Sequence, residues 1–258
     1  MLYSTYFNKF TVLLLLVLSS NKIVFSQPEL APWGNLHGIR VDGHLIAFES
    51  FLQIVGDDWS QIKSTGKERQ RSSYQRENDT QIVKLEIDKF NFEEKVKADG
   101  RGAVDVNVQF TSQIDTTLTG IYFGISLSEK VYLSSEVKVI ETSPFQLNHL
   151  SANGENEFIR VIAEGLQFKS AENNFQIEAK TPVEIIVRKS FTKPKDIQIL
   201  FSIVRGEIKK GETANNTFHI KAEESIDQSP ISLQFNPEKQ GRLFEGIGGN
   251  FRIQNKKN

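Results

Sequence analysis

Few side chains in this 258-residue chain stand at spacings that do covalent chemistry. There is no cysteine, which removes thiolate nucleophiles, cysteine-ligated metals and disulfide staples together. The four histidines, His37, His44, His149 and His219, are scattered, and none forms the helical i, i+4 pair of a zinc protease. Asp57-Asp58 offers oxygen ligands, but no EF-hand spacing follows it. A serine triad lacks its Gly-x-Ser-x-Gly elbow. On these grounds the sequence predicts no catalytic residue, no metal site and no cofactor.

Binding chemistry is better represented. Sugar rings stack on aromatic faces while amides, carboxylates and guanidinium groups take up their hydroxyls. Trp33 and Trp59 are the two tryptophans, and Tyr74, Tyr122 and Tyr132 are the tyrosines expected at the surface. Trp33, Trp59 and Tyr74 are accordingly the candidate carbohydrate contacts, with simple packing over a domain end as the plainer role. The stretch from Asp57 to Thr80 carries Lys63, Lys67, Arg69, Arg71 and Arg76 among Asp57, Asp58, Glu68 and Glu77. Mixed charge of this kind marks a solvated loop or exposed edge strand, and a polyanion site is its sharper alternative. With Lys+Arg 31 against Asp+Glu 32, the net charge of -1 argues against a nucleic-acid binder. Asn78-Asp79-Thr80 and Asn215-Asn216-Thr217 match the N-glycosylation acceptor pattern, which matters in a eukaryotic source.

The elements that must position these residues are strands. Val83, Leu85 and Ile87 alternate with Lys84, Glu86 and Asp88; Val104, Val106, Val108 and Phe110 alternate with Asp105, Asn107 and Gln109. Ile121, Phe123, Ile125 and Leu127 alternate with Tyr122, Gly124 and Ser126, and the pattern returns around Phe175, Val183 and Phe218. A period of two puts one set of side chains in a core and the other toward water. Ile197 to Val204 is apolar on both faces, which predicts a central strand covered on both sides. Asp42-Gly43 between Ile39-Arg40-Val41 and Leu45-Ile46-Ala47 is a two-residue hairpin signal. Many strands without crossover helices predict an all-β fold, a large antiparallel two-sheet β-sandwich of the supersandwich kind, over residues 28–235.

The first 26 residues read as a cleavable signal peptide. Lys9 precedes the apolar run Phe10 to Leu18, which is too short to span a bilayer, and Val24-Phe25-Ser26 offers a cleavage site before Gln27. The expectation is a secreted or periplasmic protein with no transmembrane anchor in its mature form.

Near the other end the alternation gives way to glycine: Phe244-Glu245-Gly246-Ile247-Gly248-Gly249-Asn250-Phe251. This motif, at Phe244, Gly246, Gly248, Gly249 and Asn250, resembles the opening strand of the (β/α)8 catalytic barrel in several secreted bacterial glycoside hydrolases, where it follows an N-terminal β-sandwich. Leu36 to Gly43 and Gly120 to Leu127 likewise resemble the leading sandwich of such enzymes. The resemblance implies that residues 236–258 are a linker and the start of an incomplete barrel. It also implies that the two catalytic carboxylates lie on later barrel strands, so this chain alone is expected to be inactive, a fragment supporting the missing barrel domain and contacting polysaccharide or oligosaccharide. Two other readings stand beside it: a self-sufficient carbohydrate-binding or surface-interaction module, and an enzyme acting within the sandwich.

Overall fold

The computed structural model describes residues 27–41, 43–57, 59, 61–100, 102–140, 145–146, 157–190 and 193–224. Residues 1–26, read from the sequence as a signal peptide, the 236–258 segment with its glycine motif, and His149 lie outside the described residues. Among the described residues sixteen strands follow one another: β1 Gln27–Leu30, β2 Leu36–Val41, β3 His44–Ala47, β4 Glu49–Val55, β5 Ile62–Ser64, β6 Ser72–Glu77, β7 Thr80–Ile87 and β8 Phe90–Ala98. Then come β9 Ala103–Ser112, β10 Thr116–Ser128, β11 Glu136–Val139, β12 Phe145–Gln146, β13 Glu157–Lys169, β14 Asn173–Lys189, β15 Asp196–Ile208 and β16 Thr213–Glu224. One helical turn, Glu129–Tyr132, sits between β10 and β11. Among the described residues no helix is long and apolar enough to cross a membrane.

All pairings are antiparallel, and the fold is an all-β sandwich made chiefly from one sheet doubled over. The doubling is visible in the register of β14. Its first part, Asn173 to Ala179, pairs with β16, and its second, Ile185 to Lys189, pairs with β15. β13 accompanies it along both parts, with an irregularity between Ala163 and Gly165. A bulge bends a strand, and here it turns two long strands from one layer into the other. Gly165 makes the bend: a Cβ there would stand 2.3 Å from the Ile177 carbonyl oxygen. One wing then runs β16-β9-β8-β7-β6 and the other β15-β10-β4-β5.

Between the wings lies one apolar core. Phe123 of β10 stacks on Phe218 of β16 with centroids 4.4 Å apart, and Phe201 of β15 meets Phe218 edge-on at 5.6 Å. Phe218 thus takes rings of the opposite wing on its own. The small sheet β1-β2-β3 adds Leu36 and Ile39 to the same core. Local chemistry closes the hairpins: Asn78 and Asp88 take positive φ in two-residue turns, which their short polar side chains tolerate.

β15 is the doubly covered central strand that its sequence predicts, and β6 is an exposed edge strand from the polar 57–80 stretch. Two tyrosines depart from expectation. Tyr122 and Tyr132 are buried, the first because β10 is covered on both faces and the second because the helical turn folds it against Phe168 and Phe175.

Candidate functional site

The wing of β4, β10, β15 and β14 presents its second face away from the core, and the strand register lays out what that face carries. Across it, Glu49 pairs with Ser126, Ser126 with Gln198, Gln198 with Arg188 and Arg188 with Glu157. The next row is Phe51, Gly124, Leu200, Ile186 and Arg160, and the row beyond begins Gln53, Tyr122, Ser202. A polar row therefore lies beside an apolar one. Phe51, Val55, Tyr122, Ile186 and Leu200 form a separate buried cluster there, with Trp59 and Ile62 packed against it. Glycine makes room for it. A Cβ at Gly124 would stand 2.2 Å from the Phe51 ring, so Gly124→Ala is expected to cost about 1–3 kcal/mol by displacing that ring. An unchanged urea midpoint would place Phe51 elsewhere.

Over the polar row opens a hollow of about 290 Å³. Its walls include three amide side chains that are almost wholly buried: Asn35, Gln53 and Gln198, at 2%, 3% and 7% exposure. Each keeps one amide atom without a hydrogen-bond partner: Asn35 Oδ1, Gln53 Nε2 and Gln198 Oε1. Asn35 is fixed by its Nδ2, which donates to Glu49 Oε1 at 2.9 Å, and by the turn Ala31 to Asn35. Glu49 is also held by the Lys193 ammonium. Burial pushes the Glu49 carboxyl up, but hydrogen bonds from Lys193 and Asn35 outweigh it and leave it below the ordinary carboxylate range. Ser126 Oγ donates to Asp196 Oδ2 at 2.7 Å. The Thr65–Gln70 loop closes one side, with Gln70 Nε2 donating to the Ser64 carbonyl at 2.9 Å and Arg69 Nη1 to Ser64 Oγ at 3.0 Å.

A larger hollow, about 640 Å³, lies over the outer face of β6 to β9, but its amides, Asn91 and Gln109, are exposed, and Lys84 and Glu93 of its charged lining are paired. Lys84 Nζ is 3.0 Å from Glu93, whose carboxyl is lowered by hydrogen bonds from Lys95 and Lys84. The smaller site carries more unspent chemistry. Among the described residues no cluster of three or more His, Cys, Asp or Glu side chains could hold a metal.

The three aromatic candidates fall on separate elements. Trp33 is in the β1–β2 turn, edge-on to His37 with centroids 5.7 Å apart. Tyr74 is 44% exposed on β6, its hydroxyl donating to Gln81 Oε1 at 2.9 Å. Trp59 packs against the cluster that includes Phe51, and its ring is engaged by Tyr122 at 5.9 Å and by the Arg188 guanidinium at 4.5 Å. None of the three lines the hollow. The residues that do were legible only as anomalies: Gln53 interrupts Phe51-Leu52-x-Ile54-Val55, and Gln198 interrupts Ile197-x-Ile199. An amide inside an apolar strand is the signal that would have found them.

No family model and no curated protein matches the sequence. Solved structures do. Galactose 1-epimerase from Lactobacillus acidophilus NCFM superposes with a TM-score of 0.52 at 8% identity, covering 80% of this chain and 93% of that one. A GalM/aldose epimerase homologue from C. elegans gives 0.42 at 9% identity, over 61% of this chain and 69% of that one. The first likeness, at such identity, is one of fold: this chain shares the β-sandwich architecture of the bacterial epimerase.

Proposed function

We propose that this chain is a carbohydrate-handling β-sandwich, the noncatalytic part of an exported enzyme acting on polysaccharide, and that it holds sugar in the hollow among Asn35, Gln53 and Gln198. The observation that carries this reading is the set of three buried amides, each with an unpartnered atom, around a space beside the Phe51 ring. A buried amide atom without a partner costs about 1–3 kcal/mol, so the site gains from any ligand that supplies one. Two of the three open positions accept and one donates, and a sugar hydroxyl does both. Phe51, largely buried, adds an apolar edge to the wall against which a sugar ring would rest.

Binding rather than proton transfer suits the groups present. The carboxylate of the hollow, Glu49, is tied to Lys193 and Asn35, and no histidine lines it among the described residues. The likeness to a galactose 1-epimerase supports a sugar ligand on this fold. The Phe244 to Asn250 motif supports a neighbouring (β/α)8 barrel, and the Met1 to Ser26 leader supports export to the periplasm or medium. A self-sufficient sugar-binding module is the second reading, favoured by the fact that the fold likeness covers 93% of the solved epimerase chain.

Calorimetric titration of the chain with neutral galactan, glucan and xylan oligosaccharides tests the site. Binding in the range of roughly 10 µM to 1 mM is expected for at least one of them. Gln53→Ala with Gln198→Ala should weaken it about tenfold or more, with the β-sheet circular dichroism unchanged. Absence of binding to every sugar, or binding indifferent to both substitutions, removes the reading. Export predicts a mature N-terminus at Gln27, read by Edman sequencing.

A further inference from the structure

The charge of the hollow is not balanced. Lys67, Arg69 and Lys193 line it, against the single carboxylate of Glu49. Lys193 is committed to Glu49, but neither Lys67 nor Arg69 has a carboxylate partner among the described residues. Glu68, between them in sequence, adopts a positive φ and does not line the hollow. Asp196 accepts from Ser126 behind the wall. Arg69 also borders an adjoining hollow that holds Glu86 and Asp88, of which Asp88 is paired with Lys63 at 2.8 Å.

The loop holds Arg69 in place. Arg69 N donates to the Gly66 carbonyl at 3.2 Å, Gly66 N to Gln70 Oε1 at 3.1 Å, and the Arg69 side chain to Ser64 Oγ. Arg69 therefore stands on a folded turn with part of its fork unspent, and guanidinium forks match carboxylate and sulfate geometry. Of the five cations in the polar stretch after β4, this turn brings Lys67 and Arg69 to the hollow, beside the three amides with open positions.

We infer that the ligand of this site is an anionic glycan, its hydroxyls taken by Asn35, Gln53 and Gln198 and its carboxylate or sulfate group by Lys67 and Arg69. This deepens the sugar-binding reading and rests on it. The shared chemistry is an oxyanion carried on a sugar ring, and a uronic acid and a sulfated sugar both present one.

The experiment titrates the full chain with three oligosaccharides of equal length: oligogalacturonate, a sulfated galactan and neutral galactan, at about 0.02 M and 0.5 M salt. At low salt one of the anionic sugars should bind about tenfold or more tightly than neutral galactan, and the advantage should shrink at high salt. Galacturonate preference assigns a carboxylate and sulfated-galactan preference a sulfate. Lys67→Gln with Arg69→Gln, both on an exposed loop, should abolish the advantage while neutral galactan binding persists. Equal binding of neutral and anionic sugars overturns the charge assignment and leaves the sugar site standing. Binding of none overturns both. If anionic binding survives Gln53→Ala with Gln198→Ala undiminished, the anion is held by diffuse surface charge, and the assignment to this hollow fails.

Discussion

Replacing Glu94 with methionine is expected to raise folding stability by about 3–5 kcal/mol at pH 7 and by much less near pH 4.5. Glu94 lies on β8 in the alternation Phe90, Phe92, Glu94, Val96, so the strand period aims its carboxyl into the core. It is fully buried, and neither carboxyl oxygen has a hydrogen-bond partner. Its surroundings are Val83 and Leu85 of β7 and Gly34 of the β1–β2 turn, where a Cβ would stand 3.2 Å from Glu94 Oε2. Burial alone pushes the carboxyl from 4.5 up to about 8. Below the unfolded value of 4.5 both states hold the proton. Between there and about 8 the unfolded chain has released it and the folded chain has not, so stability falls as pH rises. Above that the folded state also ionises and the loss levels off. Each unit of displacement corresponds to about 1.4 kcal/mol. Methionine has a similar length and no charge to desolvate. Urea unfolding at several pH values checks this: the wild type should weaken between pH 4.5 and 8, and Glu94→Met should lack that slope. Parallel curves for the two proteins would mean that the Glu94 carboxyl is hydrated or paired.

The architecture was legible because period two is a strong signal when one face of a strand is wet. β7, β8 and β9 show it, and the two-residue turns between β2 and β3 and at Asn78-Asp79 mark their own positions. Where both faces are covered the signal fades. In β10, Tyr122 and Ser126 sit at positions that alternation assigns to water, yet Trp59 and Ile62 pack over the Tyr122 cluster and the Thr65–Gln70 loop lines the hollow beside Ser126. What roofs a sheet comes from elsewhere in the chain, and no local pattern carries it. The doubling of β13 and β14 was hidden for the same reason: Gly165 is one glycine among 17, and only the approach of the Ile177 carbonyl shows why it is needed. The site was less legible than the fold. Tryptophan and tyrosine drew attention by type, whereas Asn35, Gln53 and Gln198 converge from a turn and two strands far apart in sequence.

The second large effect is expected at Phe218. Phe218→Ala should cost about 4–5 kcal/mol, at the upper end for a buried phenylalanine, while Phe201→Ala should cost about 3–5. Both rings are fully buried, so the loss of transfer free energy is similar, and the difference comes from position. Phe218 lies on β16 and takes Phe123 on its face and Phe201 at its edge, both from the opposite wing. Truncating it removes two ring pairs, each worth about 0.5–1.5 kcal/mol beyond area, and opens a cavity between layers that their backbones hold apart. Truncating Phe201 removes one pair from this trio, leaving Phe123 on Phe218. The two substitutions share the 5.6 Å contact, so the double variant should lose less than the sum of the singles by about 0.5–1.5 kcal/mol. Urea unfolding of the four proteins, followed by tryptophan fluorescence and by circular dichroism, measures that coupling. The sheet is continuous through β13 and β14, so both probes should report one transition in every variant. Additive losses would mean that the rings do not touch in solution. Separate transitions for the two probes would mean that the wings unfold independently despite their shared strands.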